Sequence, residues 1–418
     1  MKVLWIVNLI PSDLAAAIDS KKTVLGGWIE SMAAELREND DIELAIACKN
    51  SGSEKFYHEV NKIKYYSVSY TSKTSLEELM KRCREIIKEF QPDIIQIEGT
   101  EFLHALAMLK AAKEENIKAV ISLQGILNGQ YNYQCGQLSI DDMMFSLSFT
   151  NIYAAWIMHL RKKYWYKPRM KSERDILEQA DYLIGRTTWD KAHAYKINPN
   201  AKYYSCNRVL RNPFYEKQWK IDEIQRHTIY LGNGYFPLKG MHYMFMAIPE
   251  LVREYPDLKV YVGGYKPYET KDKRSLLKKG YASYLKKLVK DLNIENYIEF
   301  TGPLSAEQVA DRLSKTHVYA LCSAAENSPN TLGEAMVVGT PSVAAYVGGV
   351  SDMAVDTKEA LFFRNDDPAI LAWNIKRIFD NDELAQSLSS NAKEHALDTH
   401  DAKKNADKLI SIYKDIME

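Results

Sequence analysis

HVYALCSAAENSPNTLGEAMVVGTPSVAAYV, residues 317–347, decides how the chain folds. His317 to Ser323 is an apolar run of strand length. Thr331 to Val338 has helical spacing, and Ser342 to Val347 is again an apolar run. Strand, helix and strand in succession, with the strands unbroken by polar residues, is the pattern of a parallel sheet covered on both faces.

Outward from this stretch the alternation repeats. Upstream lie strands at His227 to Asn233, Leu258 to Gly264 and Tyr297 to Gly302, with helices at Met241 to Tyr255 and Glu307 to Ser314; from Pro368 onward the chain reads as helix. The first half has its own series. Strands are expected at Val3 to Val7, Ile42 to Cys48, Asp93 to Glu98, Ala119 to Gln124 and Ala180 to Thr187. Helices are expected at Gly27 to Leu36, Leu76 to Phe90 and Phe102 to Lys113, with a less regular helical region from Asp141 to Glu178. The reading is an α/β chain of two successive open sheets with a boundary near residues 205–227. Ligands of such sheets bind at the carboxyl ends of the strands, and two sheets facing each other make a cleft suited to a site. The expected domains are 1–210, 211–385 and a helical tail at 386–418.

Length and composition agree. The 418 residues exceed one typical core. The 46% hydrophobic and 26% charged fractions are those of a globular protein, not of a disordered, collagenous or disulfide-stapled one. Lys and Arg number 55 against 55 Asp and Glu. That balance argues against a nucleic-acid binder. Five scattered cysteines with no CxxC pair read as reduced thiols of a cytoplasmic protein. The apolar start is interrupted by Asn8, Pro11 and Asp13, so it reads as a first strand and not a signal peptide. No run is long enough to span a bilayer.

The chemistry concentrates where residues 323–336 pass from strand to helix. Ser328 is the expected N-cap and Pro329 the first helical residue, which leaves the N–H groups of Asn330, Thr331 and Leu332 free for an anion. Glu326 precedes this turn and Glu334 lies one turn inside it. Carboxylates cannot serve a phosphate, but they accept hydrogen bonds from hydroxyls on either side of one. A ribose and a sugar joined by a diphosphate fit that layout. The plainer reading, a carboxylate favouring the helix start and a solvated loop residue, stays open on spacing alone.

Glu326-x7-Glu334, followed by EAMVVGTP and VAAYVGGV, resembles the donor site of the retaining glycosyltransferases of family four, which have the GT-B fold: two Rossmann-like doubly wound domains facing across a cleft. YLGNGYFPLKG (Tyr230 to Gly240), GGWIESMA (Gly26 to Ala33) and ADYLIGRTTWD (Ala180 to Asp190) extend the likeness over most of the chain. The nearest look-alikes build bacterial capsular polysaccharides, exopolysaccharides and lipopolysaccharides. The resemblance implies that Glu334 binds ribose hydroxyls and Glu326 the transferred sugar. It also implies that the backbone of Asn330, Thr331 and Leu332 contacts the diphosphate and that Lys239 neutralises it. Gly26 and Gly27 would let the backbone approach the phosphates. The implied donor is a UDP or GDP sugar and the acceptor a glycan or lipid-linked glycan, with no metal and no separate cofactor.

The chain departs from the family in two places. Asn233 stands where the family usually has an arginine, so Arg186, Arg208 and Arg211 are candidates to supply the missing phosphate-binding charge. Gln124 stands where a histidine often lies near the sugar; it can hydrogen-bond but cannot titrate. Two other readings stay open: a nucleotide-sugar isomerase or epimerase on the same fold, and a non-catalytic nucleotide-sugar binder. Asp380-Asn381-Asp382 spells a metal motif of another glycosyltransferase class but reads as a helix end. The basic, aromatic run RKKYWYKPRMKSER (Arg161 to Arg174) reads either as a solvated end to a core helix or as a patch for peripheral contact with the inner membrane face. The Lys271 to Lys290 run reads as a surface helix.

Overall fold

A computed structural model describes the chain except residues 19–26, 51–55, 72, 140–141, 143–151, 153–155, 157–159, 161, 233 and 270–275, and the side chains of 162–163 and 276–279. The chain divides into two compact units. The first comprises Met1–Gly129, Lys167–Leu210 and His400–Glu418, the second Gln130–Tyr166 and Arg211–Thr399. This division departs from the sequence-based boundaries at two segments. Residues 130–166 go with the second unit, and 386–399 stay there as part of the helix Asp382–Thr399, so only the last helix joins the first unit.

The first unit holds eight strands: β1 (Lys2–Val7), β2 (Glu43–Asn50), β3 (Tyr57–Val60), β4 (Ile63–Ser69), β5 (Ile94–Glu98), β6 (Lys118–Ser122), β7 (Tyr182–Gly185) and β8 (Lys202–Ser205). Their order is β3-β4-β2-β1-β5-β6-β7-β8, parallel throughout except for the β3–β4 hairpin. Both faces are covered, which is why β1 is apolar from Val3 to Val7. Leu4 and Ile6 enter one core, while Val3, Trp5 and Val7 enter the other. The second core includes Leu409, Tyr413 and Ile416 of the final helix, Ala402–Met417. That helix is also held by polar bonds. Trp5 Nε1 donates to the Tyr413 hydroxyl at 2.9 Å, and Tyr413 donates to Gln96 Oε1 at 2.6 Å.

The second unit holds β9 (Gln225–Leu231), β10 (Lys259–Val262), β11 (Ile298–Phe300), β12 (Thr316–Leu321), β13 (Ser342–Ala345) and β14 (Leu361–Phe363). All pairs are parallel and the order is β11-β10-β9-β12-β13-β14. Counted from β9 this is the 3-2-1-4-5-6 order of doubly wound sheets. The winding reverses between β9 and β12. Loops leaving adjacent strands in opposite directions part at such a point and leave room for a ligand at the carboxyl ends. The two loops concerned are 232–240 and 322–329.

Candidate functional site

The loop after β9 ends in a single tight turn, Pro237–Lys239, closed by Gly240 with φ +68°. A Cβ at Gly240 would lie 1.8 Å from the carbonyl oxygen of Cys322, just past β12. Close by, the N–H of Ala324 donates to Leu238 O at 2.7 Å. The turn is thus fastened to the second loop, and this fixes Lys239 against Glu326, Nζ to Oε1 2.5 Å. Ser323 Oγ donates to the same carboxylate oxygen at 2.7 Å. The other side of Glu326 is fixed by Gly348, φ +56°, whose Cβ would meet the Glu326 carbonyl oxygen at 1.7 Å. Gly240→Ala is therefore expected to cost at least about 2 kcal/mol, from left-handed strain and the clash together. Thermal unfolding of the variant checks this.

The helix Asn330–Val338 opens beside Glu326. Its N-cap is Pro329, with no side-chain cap, so Ser328 does not play the role the sequence suggested; its hydroxyl bonds Met353 Sδ at 3.6 Å. The Leu332 N–H is also not free, because it donates to Pro329 O at 3.0 Å. The exposed anion-binding end therefore shrinks to the amides of Asn330 and Thr331, which have no intrahelical acceptor. Glu334, on the next turn, is buried, and its Oε1 receives Arg211 Nε at 2.8 Å and Nη2 at 2.7 Å. Burial pushes the Glu334 carboxyl up to about 7, against the pull of Arg211. The buried Tyr319 hydroxyl bonds Thr331; burial first, then Tyr230, Glu326 and Glu334, raise its pKa. Both carboxylates and the helix tip thus share one neighbourhood.

Arg211 is therefore the partner of Glu334. Each carboxylate of the site has its own cation. The pairings link positions 87 and 123 residues apart, so no local pattern announced them. Ser323 and Gly348 were also missed, although the glycine pair in VAAYVGGV was a visible signal of close backbone approach.

The remaining described candidates lie in the first unit. Gln124 follows β6; its Nε2 donates to Glu98 Oε2 at 3.4 Å, and its carbonyl accepts Arg186 Nη2 at 3.1 Å. Glu98, buried at the carboxyl end of β5, also receives Gln96 Nε2 at 2.5 Å. A charged residue closing an apolar strand was the signal for it. Arg186 follows β7 and Arg208 lies shortly after β8. Gly27 opens the helix Gly27–Arg37 and its carbonyl accepts the Ser31 hydroxyl at 2.9 Å. Gly26 and Asn233 lie outside the described residues.

Asp380 and Asp382 have separate partners: Asp380 accepts the Tyr255 hydroxyl at 2.6 Å, and Asp382 pairs with Arg226. Among the described residues no helix is long and apolar enough to cross a membrane. Much of the 141–161 stretch, with Arg161 of the basic run, lies outside them.

Comparison with known proteins fits this geometry. Residues 212–395 match the family described as "Glycosyl transferases group 1". A D-inositol 3-phosphate glycosyltransferase of Corynebacterium urealyticum is 26% identical over 182 residues, 43% of this chain and 41% of that one. The chain spans about half the length of the curated relatives it matches. Among solved structures, sucrose-phosphate synthase from Thermosynechococcus elongatus superposes with a TM-score of 0.73 at 15% identity, covering 100% of this chain and 99% of that one. Anabaena Alr3699/HepE in complex with UDP gives 0.68 at 13%, covering 99% and 100%. The chain has the GT-B fold, with two Rossmann-like units, and its residues 212–395 are similar to the glycosyl transferases group 1 family.

Proposed function

We propose that the protein is a retaining glycosyltransferase that moves a sugar from a nucleoside-diphosphate sugar to a hydroxyl of a glycan or lipid-linked glycan, without a metal ion. One observation carries the reading. Lys239 and Glu326, from the two loops at the reversal of the second sheet, meet at 2.5 Å beside an uncapped helix start. A diphosphate on that helix start takes Lys239 as counter-ion. Glu326 then accepts hydroxyls of the sugar, and Glu334, oriented by Arg211, accepts those of the ribose. As the bond between the anomeric carbon and the phosphate oxygen breaks, the charge gained by the leaving group is met by Lys239 and the amides of Asn330 and Thr331. The acceptor oxygen bonds the same face of the anomeric carbon, and its proton passes to the leaving phosphate. No enzyme nucleophile is needed, which suits Gln124.

Two further points support the donor assignment. A structural neighbour of this fold is a complex with UDP, and the family match covers the unit that holds the site. The test is calorimetry of the full chain with UDP and GDP, followed by hydrolysis and transfer assays on the matching sugar nucleotides. Glu334→Ala is expected to weaken nucleotide binding about tenfold or more, the loss of a buried acceptor for two hydroxyls. Chelator in the assay is expected to leave the rate unchanged. Unaltered nucleotide affinity in Glu334→Ala would overturn the site.

A further inference from the structure

We propose that Arg186 and Arg208 form a receptor for an oxyanion, a phosphate or carboxylate carried by the acceptor. The two arginines stand at the carboxyl ends of adjacent strands, Arg186 directly after β7 and Arg208 three residues past β8. Their fixed contacts leave donors idle. Arg186 spends Nη2 on the Gln124 carbonyl. Its Nε, and Nε and Nη2 of Arg208, are shut from solvent with no acceptor among the described residues. The Trp28 ring covers the Arg208 guanidinium, its centroid 3.4 Å from Cζ, and holds the fork in one plane.

The neighbouring acids do not fill this need. Asp190 is engaged by the Arg186 backbone N–H at 3.0 Å and the Tyr203 hydroxyl at 2.5 Å. Glu98 is engaged by the side-chain amides of Gln96 and Gln124. Neither guanidinium forms a salt bridge among the described residues. Burial lowers the pKa of both, and Arg186 lowers that of Arg208 further, so the two positive charges feel each other. Like charges whose donor atoms are shut from solvent and unpaired cost free energy in the empty protein. An oxyanion bridging them removes the repulsion and meets the donors at once, and the planar fork matches phosphate or carboxylate geometry. This inference rests on the reading above: with the donor held by the second unit, an anion site built wholly from the first belongs to the acceptor. The acceptor class is then an acidic one, a hydroxyl compound bearing a phosphoryl or carboxyl group.

The test titrates the full chain with inorganic phosphate and with acetate, in the presence of saturating UDP, by calorimetry and by thermal shift. Wild type is expected to bind one of the two ions and to gain thermal stability from it. R186Q and R208Q are expected to lose that affinity at least tenfold while binding UDP within twofold of wild type. Without ligand, R208Q is expected to melt no lower than wild type, because it sheds an idle buried charge. Preference for phosphate assigns a phosphoryl group, and preference for acetate a carboxylate. The proposal is overturned if neither ion binds wild type, or if both variants bind it unchanged. It is also overturned if UDP affinity falls in step, which would make the donor diphosphate the occupant. UDP failing to bind wild type would instead sink the donor reading and leave the ion result to be judged alone.

Discussion

Lys239→Ala is expected to lower kcat by about 10²- to 10³-fold, the loss that follows when one preorganised group is removed from a charge that develops in the transition state. Donor affinity falls much less, because a diphosphate already charged in the ground state keeps the amides of Asn330 and Thr331. The asymmetry follows from how Lys239 is held. The turn Pro237–Lys239 is locked by Gly240 against Cys322, and the ammonium is paired with Glu326 before any ligand arrives. Removing it leaves Glu326 without its cation and facing the diphosphate, so part of any loss in binding is repulsion. The double variant Lys239→Ala/Glu326→Gln therefore regains donor affinity relative to Lys239→Ala alone, without regaining kcat. Such a cycle separates charge repulsion from transition-state stabilisation. Steady-state kinetics with the matching sugar nucleotide read both parameters. A kcat within threefold of wild type in Lys239→Ala would remove Lys239 from the chemistry.

The same residues show what a sequence displays and what it conceals. Strands buried on both faces, such as β1 and β12, are continuous apolar runs and read correctly. Of the four strands that went unread, three have partial burial or minimal length; the fourth, β4, is mostly buried but reads IKYYSVS, with no unbroken apolar run. Tyr57–Val60 alternates exposed and half-buried positions at the sheet edge, Lys202–Ser205 is half-exposed, and β14 has only three residues. Within the proposed site, Glu326, Asn330 and Glu334 were singled out by their place around a strand end and a helix start, whereas Lys239 was singled out by the family resemblance. Helix capping was read one residue out: Ser328 has the right side chain, but Pro329 occupies the cap and Ser328 turns to Met353. The cation partners were beyond reach. Arg211 looked like a substitute for a missing phosphate ligand, and only the fold, bringing the chain just ahead of Asn212–Phe214 onto the helix Asn330–Val338, assigns it to Glu334.

That assignment makes donor binding pH-dependent in a definite direction. Glu334 must be ionised to accept two ribose hydroxyls, and burial has raised its carboxyl to about 7. Apparent donor affinity is therefore expected to be level above about pH 7.5 and to fall about tenfold per pH unit below 7, since each unit of protonation costs about 1.4 kcal/mol. Binding at pH 6 then releases a proton, visible as a dependence of calorimetric enthalpy on the buffer. Stability runs the opposite way. A carboxyl whose pKa is raised by folding contributes most below its unfolded value near 4.5, and that contribution is lost as pH rises through about 7, on the order of 3 kcal/mol in all. Glu334→Gln removes both slopes: the ligand-free protein loses this part of its pH-dependent melting, and the residual donor affinity becomes flat between pH 6 and 8. Arg211→Met acts through the same carboxyl. With the guanidinium gone, burial is opposed by less, and the midpoint for donor binding moves up by about one pH unit or more, so the variant binds poorly at pH 7 and recovers at pH 9. A merely structural role for Arg211 would lower affinity equally at every pH, and that outcome, measured by titration from pH 6 to 9, would break the link between Arg211, Glu334 and the ribose.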